Sequence, residues 1–363
     1  MKILAIETSC DDTSIAIVDC QGDLNNLQFT VLSNVISSQI KIHQKFGGVV
    51  PNLASREHAK NILPVLESAR RQAKMSYQQI AREIDLIAVT IGPGLIPSLL
   101  IGVNFARSLS YFLNKPMVEV NHLAGHLYSC WLSASQKNYH FKVEFPLVTL
   151  LVSGGHTQLY YLKNITDIQL MGETRDDASG ECFDKIAKIL NLGYPGGPEI
   201  AKQASQFKSS MLNSKFQVRL PRPMINSNDY DFSFAGLKTA VLYLVEKLKK
   251  QKLYNASIKK YICFDAQEAV CEVLTYKTIK LAKDVKAKTI LISGGVSANQ
   301  RLRQMLKEKT EQKLPQAAFY APEMNFCTDN AAMIASAGYI NFLEGKTTNW
   351  KKVDAKPNLR IHD

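Results

Sequence analysis

Two histidines, His122 and His126, stand four residues apart in the run Asn121-His122-Leu123-Ala124-Gly125-His126. On a helix that spacing puts both imidazoles on one face, where they could hold a single divalent cation. Two ligands do not complete a site. Asp329, in Phe326-Cys327-Thr328-Asp329-Asn330, could be the third, at the start of the last strongly helical stretch, where an acid also suits the helix dipole. The competing account has the histidines as satisfied core or surface groups and Asp329 as an ordinary N-cap. A metalloprotease with this spacing needs Glu directly after the first His as general base; Leu123 stands there, which argues against peptidase chemistry.

Other segments suit phosphate. Ser153-Gly154-Gly155-His156-Thr157 and Ser293-Gly294-Gly295-Val296-Ser297-Ala298-Asn299 are small-residue turns whose backbone N–H groups could close around anionic oxygens. The second follows an apolar run, Thr289 to Ile292, and precedes a helix expected from Gln300, so a helix N-terminus adds to it. Thr8-Ser9-Cys10-Asp11-Asp12-Thr13 is a third polar turn, this one acidic. Each is weak alone, since double glycines are common in turns. Together, spread from end to end of the chain, they would converge only in a cleft between two lobes. In Asp176 to Lys185, Asp184 could accept hydrogen bonds from ribose hydroxyls or simply belong to a capping loop, and Lys185 could be its counter-charge. Cys182 reads as packing.

The elements that must position these groups follow from periodicity. Ile3 to Glu7 and Ser14 to Val18 form one strand–turn–strand unit, and Leu147 to Val152 with Gln158 to Leu162 form another, so we expect two lobes with one hairpin each. Helical patterns cover Ala54 to Lys74, with a kink at Pro64, then Ser98 to Leu113, His122 to Leu132, Asp184 to Leu190, Phe234 to Lys250, Ala266 to Lys283 and Asp329 to Leu343. Strands such as Leu86 to Thr90 alternate with them, which makes the class α/β with mixed sheets.

The chain has 363 residues, enough for a large core without disulfide or metal staples. Its 44 basic and 32 acidic residues give a net charge of +12, which favours an anionic partner such as RNA. Basic residues are dense at Lys247 to Lys252, at Lys259-Lys260 and from Lys277 to Lys288; the bland alternative is a solvated helix surface. The seven cysteines contain no C-x-x-C pair, so neither a zinc ribbon nor a disulfide framework is indicated and a reducing compartment fits. An acid at Glu7 arrives too early for a signal peptide, and no apolar run of membrane-spanning length is expected. These features predict a soluble, cytoplasmic protein.

The motifs, taken in order, resemble the bacterial-type tRNA N6-adenosine threonylcarbamoyltransferases. The matching stretches are Ile6 to Thr13, Phe46 to Pro51, Leu53 to His58, Gly92 to Leu95, Asn121 to His126, Leu150 to Thr157, Asp176 to Lys185, Tyr194 to Pro198, Asp231 to Thr239, Gly294 to Asn299 and Cys327 to Asn330. Eleven motifs in family order span nearly the whole chain. The resemblance implies an actin-like, sugar-kinase and heat-shock ATPase fold, a duplicated ribonuclease H-like architecture with a nucleotide cleft between lobes, which we bound as residues 1–128 plus 331–363 and 129–330. It implies transfer of the threonylcarbamoyl group from threonylcarbamoyl-adenylate to N6 of adenosine 37 in tRNAs reading codons that begin with A. Carried over by motif, His122, His126 and Asp329 would bind one divalent ion, iron or zinc. Leu151, Val152, Ser153, Gly154, Gly155, Asp184, Gly197 and Asn299 would bind the adenylate, or ATP or ADP. Asp11 or Asp12 could assist proton removal. The implied partners are tRNA, a paralogous inactive-type subunit, a small ATPase and the synthase that makes the adenylate, with no membrane. The rival readings are a small-molecule kinase on the same fold, in which the His pair has no job, and a nucleotide-switched scaffold.

Overall fold

β1 (Lys2–Glu7) and β2 (Asp12–Gln21) are Ile-, Leu-, Val- and Ala-rich runs buried on both faces, as central strands are. They pair antiparallel with Leu4 opposite Ile17, and β3 (Gln28–Ser38) continues the antiparallel ladder after a bulge at Ile17/Val18. β4 (Leu86–Gly92) and β5 (Met117–Asn121) extend the other side in parallel, giving the order β3-β2-β1-β4-β5. A computed structural model describes residues 1–133, 142–208 and 218–361 of the chain.

The second half repeats this plan. β6 (Leu147–Val152), β7 (Thr157–Leu162) and β8 (Ile168–Glu173) form an antiparallel meander. β9 (Thr289–Ser293) and β10 (Ala318–Tyr320) then add in parallel beside β6. The sheet order, β10-β9-β6-β7-β8, is that of the first sheet written from its other edge. The same five-stranded topology therefore occurs twice.

Parallel joins require crossovers, and helices supply them. A single turn, α1 (Ile40–His43), precedes α2 (Pro51–Gln72), which opens on a proline and runs on through Pro64. α3 (Tyr77–Glu83) starts in a capping box between Ser76 and Gln79, and α4 (Ile96–Leu113) leads into β5. α5 (His122–Ser133) follows β5 directly. The second half carries α6 (Ser179–Ile189), α7 (Gly196–Ser205), α8 (Ala235–Lys250), α9 (Ala256–Asp284) and α10 (Gln300–Lys313), and α11 (Ala331–Leu343) closes the chain's helical part. Expected and observed helices differ at α6, which begins at Ser179 so that Asp184 lies mid-helix. They differ again at α9, which begins ten residues before Ala266 behind an Asn255 cap whose side chain accepts from Ile258 N.

Two compact units result: Met1–Lys142 with Pro322–Asp363, and Val143–Ala321. In the first, Leu4, Ile6, Ile15, Ile17, Ile87 and Val89 pack against Ile62 and Val65 of α2 and Val103 and Ala106 of α4. In the second, Val148, Leu150 and Val152 meet Ile262, Ala266, Val270 and Leu274 of α9 within one cluster. A division at 128 and 331 would put Asp329 with the second unit. In the structure the return comes at Pro322, because α11 packs on α5 and on the first sheet, and Asp329 folds with the two histidines.

Contrary to the sequence expectation, α4 is 18 residues long with mean hydropathy 1.2, enough by length and composition to cross a membrane. One face, Leu99, Gly102, Val103 and Ala106, is buried and packs in the first unit, while Asn104 on the rest of the helix is exposed. The basic stretches also need correction. Lys247, Lys249 and Lys250 are exposed, but Lys277 is fully buried, with Nζ donating to Ser227 Oγ, to the Asp229 carbonyl at 3.0 Å and to Asp229 Oδ1 at 3.1 Å. It ties down the half-exposed loop at Ser227 to Asp229 and is closed to phosphate. Lys277→Ala should destabilise the second unit by about 2 kcal/mol, a fall of roughly 5 °C in Tm. An unchanged melting curve would show that the pairing contributes nothing.

Candidate metal centre and glycine-turn site

Asn121, the last residue of β5, starts the metal candidate. Its Oδ1 accepts from Leu123 N at 2.8 Å, capping α5 and fixing the phase of the helix that carries His122 and His126. Both imidazoles are buried, their centroids 4.8 Å apart and nearly perpendicular. Between them sits Gly125, where an added Cβ would lie 2.9 Å from Ile334 Cδ1 and 3.1 Å from Met333 Cγ. The missing side chain lets α11 approach α5 closely. That approach delivers Asp329, whose Oδ1 lies 3.1 Å from His126 Nε2 and 3.5 Å from His122 Nε2.

The three donor atoms all lie within 4.8 Å of one another, and Asp329 retains 26% side-chain exposure, so the group is open on one side. Two imidazole nitrogens and one carboxylate oxygen form the donor set that suits zinc or non-haem iron with coordination positions left for water or substrate. Asp329 does not cap α11. Asn330 does, its side chain accepting from Met333 N at 3.1 Å, which frees the neighbouring carboxylate to face the histidines.

Electrostatics hold the cluster in a charged form. Burial alone would lift the Asp329 carboxyl, but the facing His122 and His126 outweigh it and hold the acid well below its ordinary range. Burial would likewise lower His122, yet Glu7 and Asp329 on either side raise its affinity for a proton. His126 is lowered, chiefly by burial. Glu7, fully buried at the end of β1, has Oε2 2.9 Å from His122 Nδ1 and was no candidate on sequence alone. The available signal was an acid ending an otherwise apolar strand.

The acidic turn belongs to the same unit. Asp12 opens β2 and has a buried Oδ1 with no hydrogen-bond partner among the described residues. Burial, against a Ser38 hydrogen bond and with repulsion from Asp329, pushes its carboxyl up to about 7. Asp11 is raised as well, first by burial and then by Asp329.

The remaining candidates gather in the second unit. Leu151 and Val152 end β6, fully buried, and the turn Ser153-Gly154-Gly155 follows. Ser153 N donates to the His156 carbonyl at 2.8 Å, and Gly180 N at the start of α6 donates to the Ser153 carbonyl at 3.2 Å. Gly294, with φ +84°, would place a Cβ 2.4 Å from the Val152 carbonyl oxygen, so the β9–α10 turn lies directly on the end of β6. Asn299 caps α10 through Oδ1 and donates from Nδ2 to Gln267 at 3.1 Å, which commits its side chain to holding that turn. Asp184 reaches from α6 to accept from Gly196 N at 2.6 Å, tying it to the start of α7 beside Gly197. Lys185 pairs with Asp177 and Glu181, and Cys182 is buried with Sγ 3.6 Å from the Phe234 carbonyl.

The sequence model of the tRNA N6-adenosine threonylcarbamoyltransferase family matches residues 30–336. The enzyme of that name from Thermosipho africanus is 46% identical, across 99% of this chain and 100% of its own length. Those from Persephonella marina and Anoxybacillus flavithermus are each 44% identical, across 99% of this chain and 96% and 97% of theirs. Among solved structures, the crystal structure of HypF from T. kodakarensis aligns with TM-score 0.59 at 12% identity over 95% of this chain. A full-length HypF in phosphate- and nucleotide-bound form aligns with TM-score 0.55 at 13% identity over 96%. This chain spans about half the length of either HypF, and at such identity the likeness shows the fold alone. Near-full-length relatives at this level of identity, together with the family match, leave no room for the kinase and peptidase alternatives: the chain belongs to the tRNA N6-adenosine threonylcarbamoyltransferase family and is a tRNA-modifying transferase that forms threonylcarbamoyladenosine.

Proposed function

We propose that the two groups of residues divide the reaction between them. His122, His126 and Asp329 hold one divalent ion, iron or zinc. Leu151 to Gly155, Asp184, Gly197 and Asn299, all in the second unit, hold threonylcarbamoyl-adenylate, with ATP or ADP competing for the same place. The donor is a mixed anhydride with AMP as leaving group. The N6 amine of adenosine 37 attacks its carbamoyl carbon, a C–N bond forms, the C–O bond to phosphate breaks, and N6 loses a proton. A bound divalent ion supplies polarisation and charge neutralisation at the acyl oxygen. The protein's own work is alignment, since both reactants are already activated or nucleophilic. The backbone of the Ser153 turn takes the phosphate, and Asp184 keeps α6 and α7 together beneath it. The single observation carrying this reading is the convergence of Asp329 on His122 and His126 across 203 residues of sequence.

Asp12 is the proton acceptor in this scheme, Asp11 beside it contributing negative charge. A carboxyl that titrates near 7 accepts a proton at working pH. Asp12→Asn should lower transfer by about 10²-fold and remove the acidic limb of its pH profile. The stability change has the opposite sign. A carboxyl whose folded-state value is raised above the unfolded one opposes folding increasingly as pH climbs from about 4 to about 7. Chelator-treated Asp12→Asn protein should therefore melt about 3 °C above wild type at pH 8, with the gap closing near pH 4. A profile and melting curve identical to wild type would remove Asp12 from the mechanism.

A paralogous subunit, a small ATPase and a separate adenylate synthase complete the cytoplasmic system, and exposed lysines such as Lys247, Lys249 and Lys250 receive tRNA phosphates. The test is reconstitution with labelled threonine, the synthase and unmodified tRNA, with each subunit omitted in turn. Label in tRNA only when this chain is present supports the reading. A phosphorylated small molecule without labelled tRNA would overturn it.

A further inference from the structure

The two histidines have different surroundings on the side away from Asp329. His126 Nδ1 is buried and meets no hydrogen-bond partner among the described residues. His122 Nδ1 faces Glu7 Oε2 at 2.9 Å and Ser9 Oγ at 3.2 Å. Glu7 is itself fully occupied: Ser9 N donates to Oε1, and Thr90 Oγ1 donates to Oε2 at 2.6 Å. Donors to both of its oxygens hold the carboxylate in the ionised, acceptor-only form, so the hydrogen between it and His122 belongs to Nδ1. Nε2 of His122 then turns its lone pair toward Asp329 Oδ1, 3.5 Å away. Two acceptors turned toward one another at that distance are the arrangement that a shared cation stabilises.

We propose that Glu7 is a positioning residue of the metal centre, locking His122 as the Nδ1–H tautomer so that Nε2 is pre-set as a ligand. This rests on the reading of His122, His126 and Asp329 as a metal site. His126 lacks such a lock. In the metal-free protein its Nε2–H donates to Asp329, and metal binding must move that proton to a side with no acceptor among the described residues. Affinity therefore depends on His122 being ready beforehand. Carboxylates behind metal-bound imidazoles elsewhere are worth roughly 10–100-fold in metal affinity.

The experiment uses the full-length chain, Zn²⁺ alone and a chromophoric chelator as competitor. Glu7→Gln keeps the side chain's shape and should weaken Zn²⁺ binding by about 10–100-fold, while Ser9→Ala, which keeps the backbone donor to Glu7, should stay within about twofold of wild type. Long-range proton–nitrogen correlation on histidine-labelled wild-type protein should show His122 Nδ1 protonated in both metal-free and zinc-loaded forms. That measurement decides the matter even if Glu7→Gln does not fold. Unchanged Zn²⁺ affinity in Glu7→Gln, or a His122 Nδ1 without its proton in the zinc form, would overturn the assignment. Normal Zn²⁺ binding by His126→Ala would instead remove the metal reading beneath it.

Discussion

Asp329→Ala should leave a folded chain with less than about a tenth of the bound metal and transfer activity at least 10³-fold below wild type. The carboxylate supplies one of three ligands and the negative charge of the site, and both imidazoles lean on it. Two neutral nitrogens from one helix hold a divalent ion far more weakly than a three-ligand set. Folding survives because the cap of α11 is Asn330, whose contact with Met333 N does not involve Asp329. The metal-free variant should still melt slightly below wild type at neutral pH. Asp329's folded-state value is depressed, so its ionised form contributes stability above the ordinary carboxylate range, and that contribution disappears as pH falls through the folded value. Atomic absorption on purified protein and the labelled-threonine assay check the two halves. Full metal content in Asp329→Ala would put the ion elsewhere.

How much of this centre could be read beforehand depends on how local each part is. The His122–His126 pair is local: four residues on a helix settle which face they share. Asp329 lies 203 positions from His126, and only its place at the start of the last helix and the order of motifs nominated it. What brings it near is packing, the bare backbone at Gly125 admitting Ile334 and Met333, and neither neighbour is marked in the sequence as facing a glycine. The choice between Asp329 and Asn330 as cap was a contest between adjacent capping residues, decided by a 3.1 Å bond to Met333 N. Glu7 was passed over because a strand pattern predicts only that a residue is buried, and a buried acid declares its purpose only when its partners are known. In the second unit both hairpin strands were legible, since β6 and β7 are unbroken apolar or alternating runs. α9 misled for the opposite reason. It is buried on nearly all sides along its middle, so it lacks a polar stripe, and Lys277 looks like surface charge until Ser227 and Asp229 are folded over it.

Gly155→Val and Gly294→Val should fail in different ways, and the difference tests what the glycine turns are for. Gly294 has φ +84° and no room: a Cβ would sit 2.4 Å from the Val152 carbonyl oxygen and 2.8 Å from its carbon. A β-branched residue there combines left-handed strain with a backbone clash, so the second unit should lose at least about 3 kcal/mol and the protein should be recovered poorly or not at all. Gly155 is exposed, lies outside the left-handed region, and a Cβ there would meet nothing within 4 Å among the described residues. The fold gives no reason for glycine at that position. The requirement must come from something that approaches the backbone from outside, as a phosphate approaches the N–H groups of a small-residue turn. Gly155→Val should therefore melt within about 2 °C of wild type yet bind ADP, measured by calorimetry, about 100-fold more weakly, because the branched side chain stands where the phosphate oxygens must come. A Gly155→Val protein that binds ADP as tightly as wild type would detach the Ser153 turn from the nucleotide, and the adenylate would have to be sought at another part of the second unit.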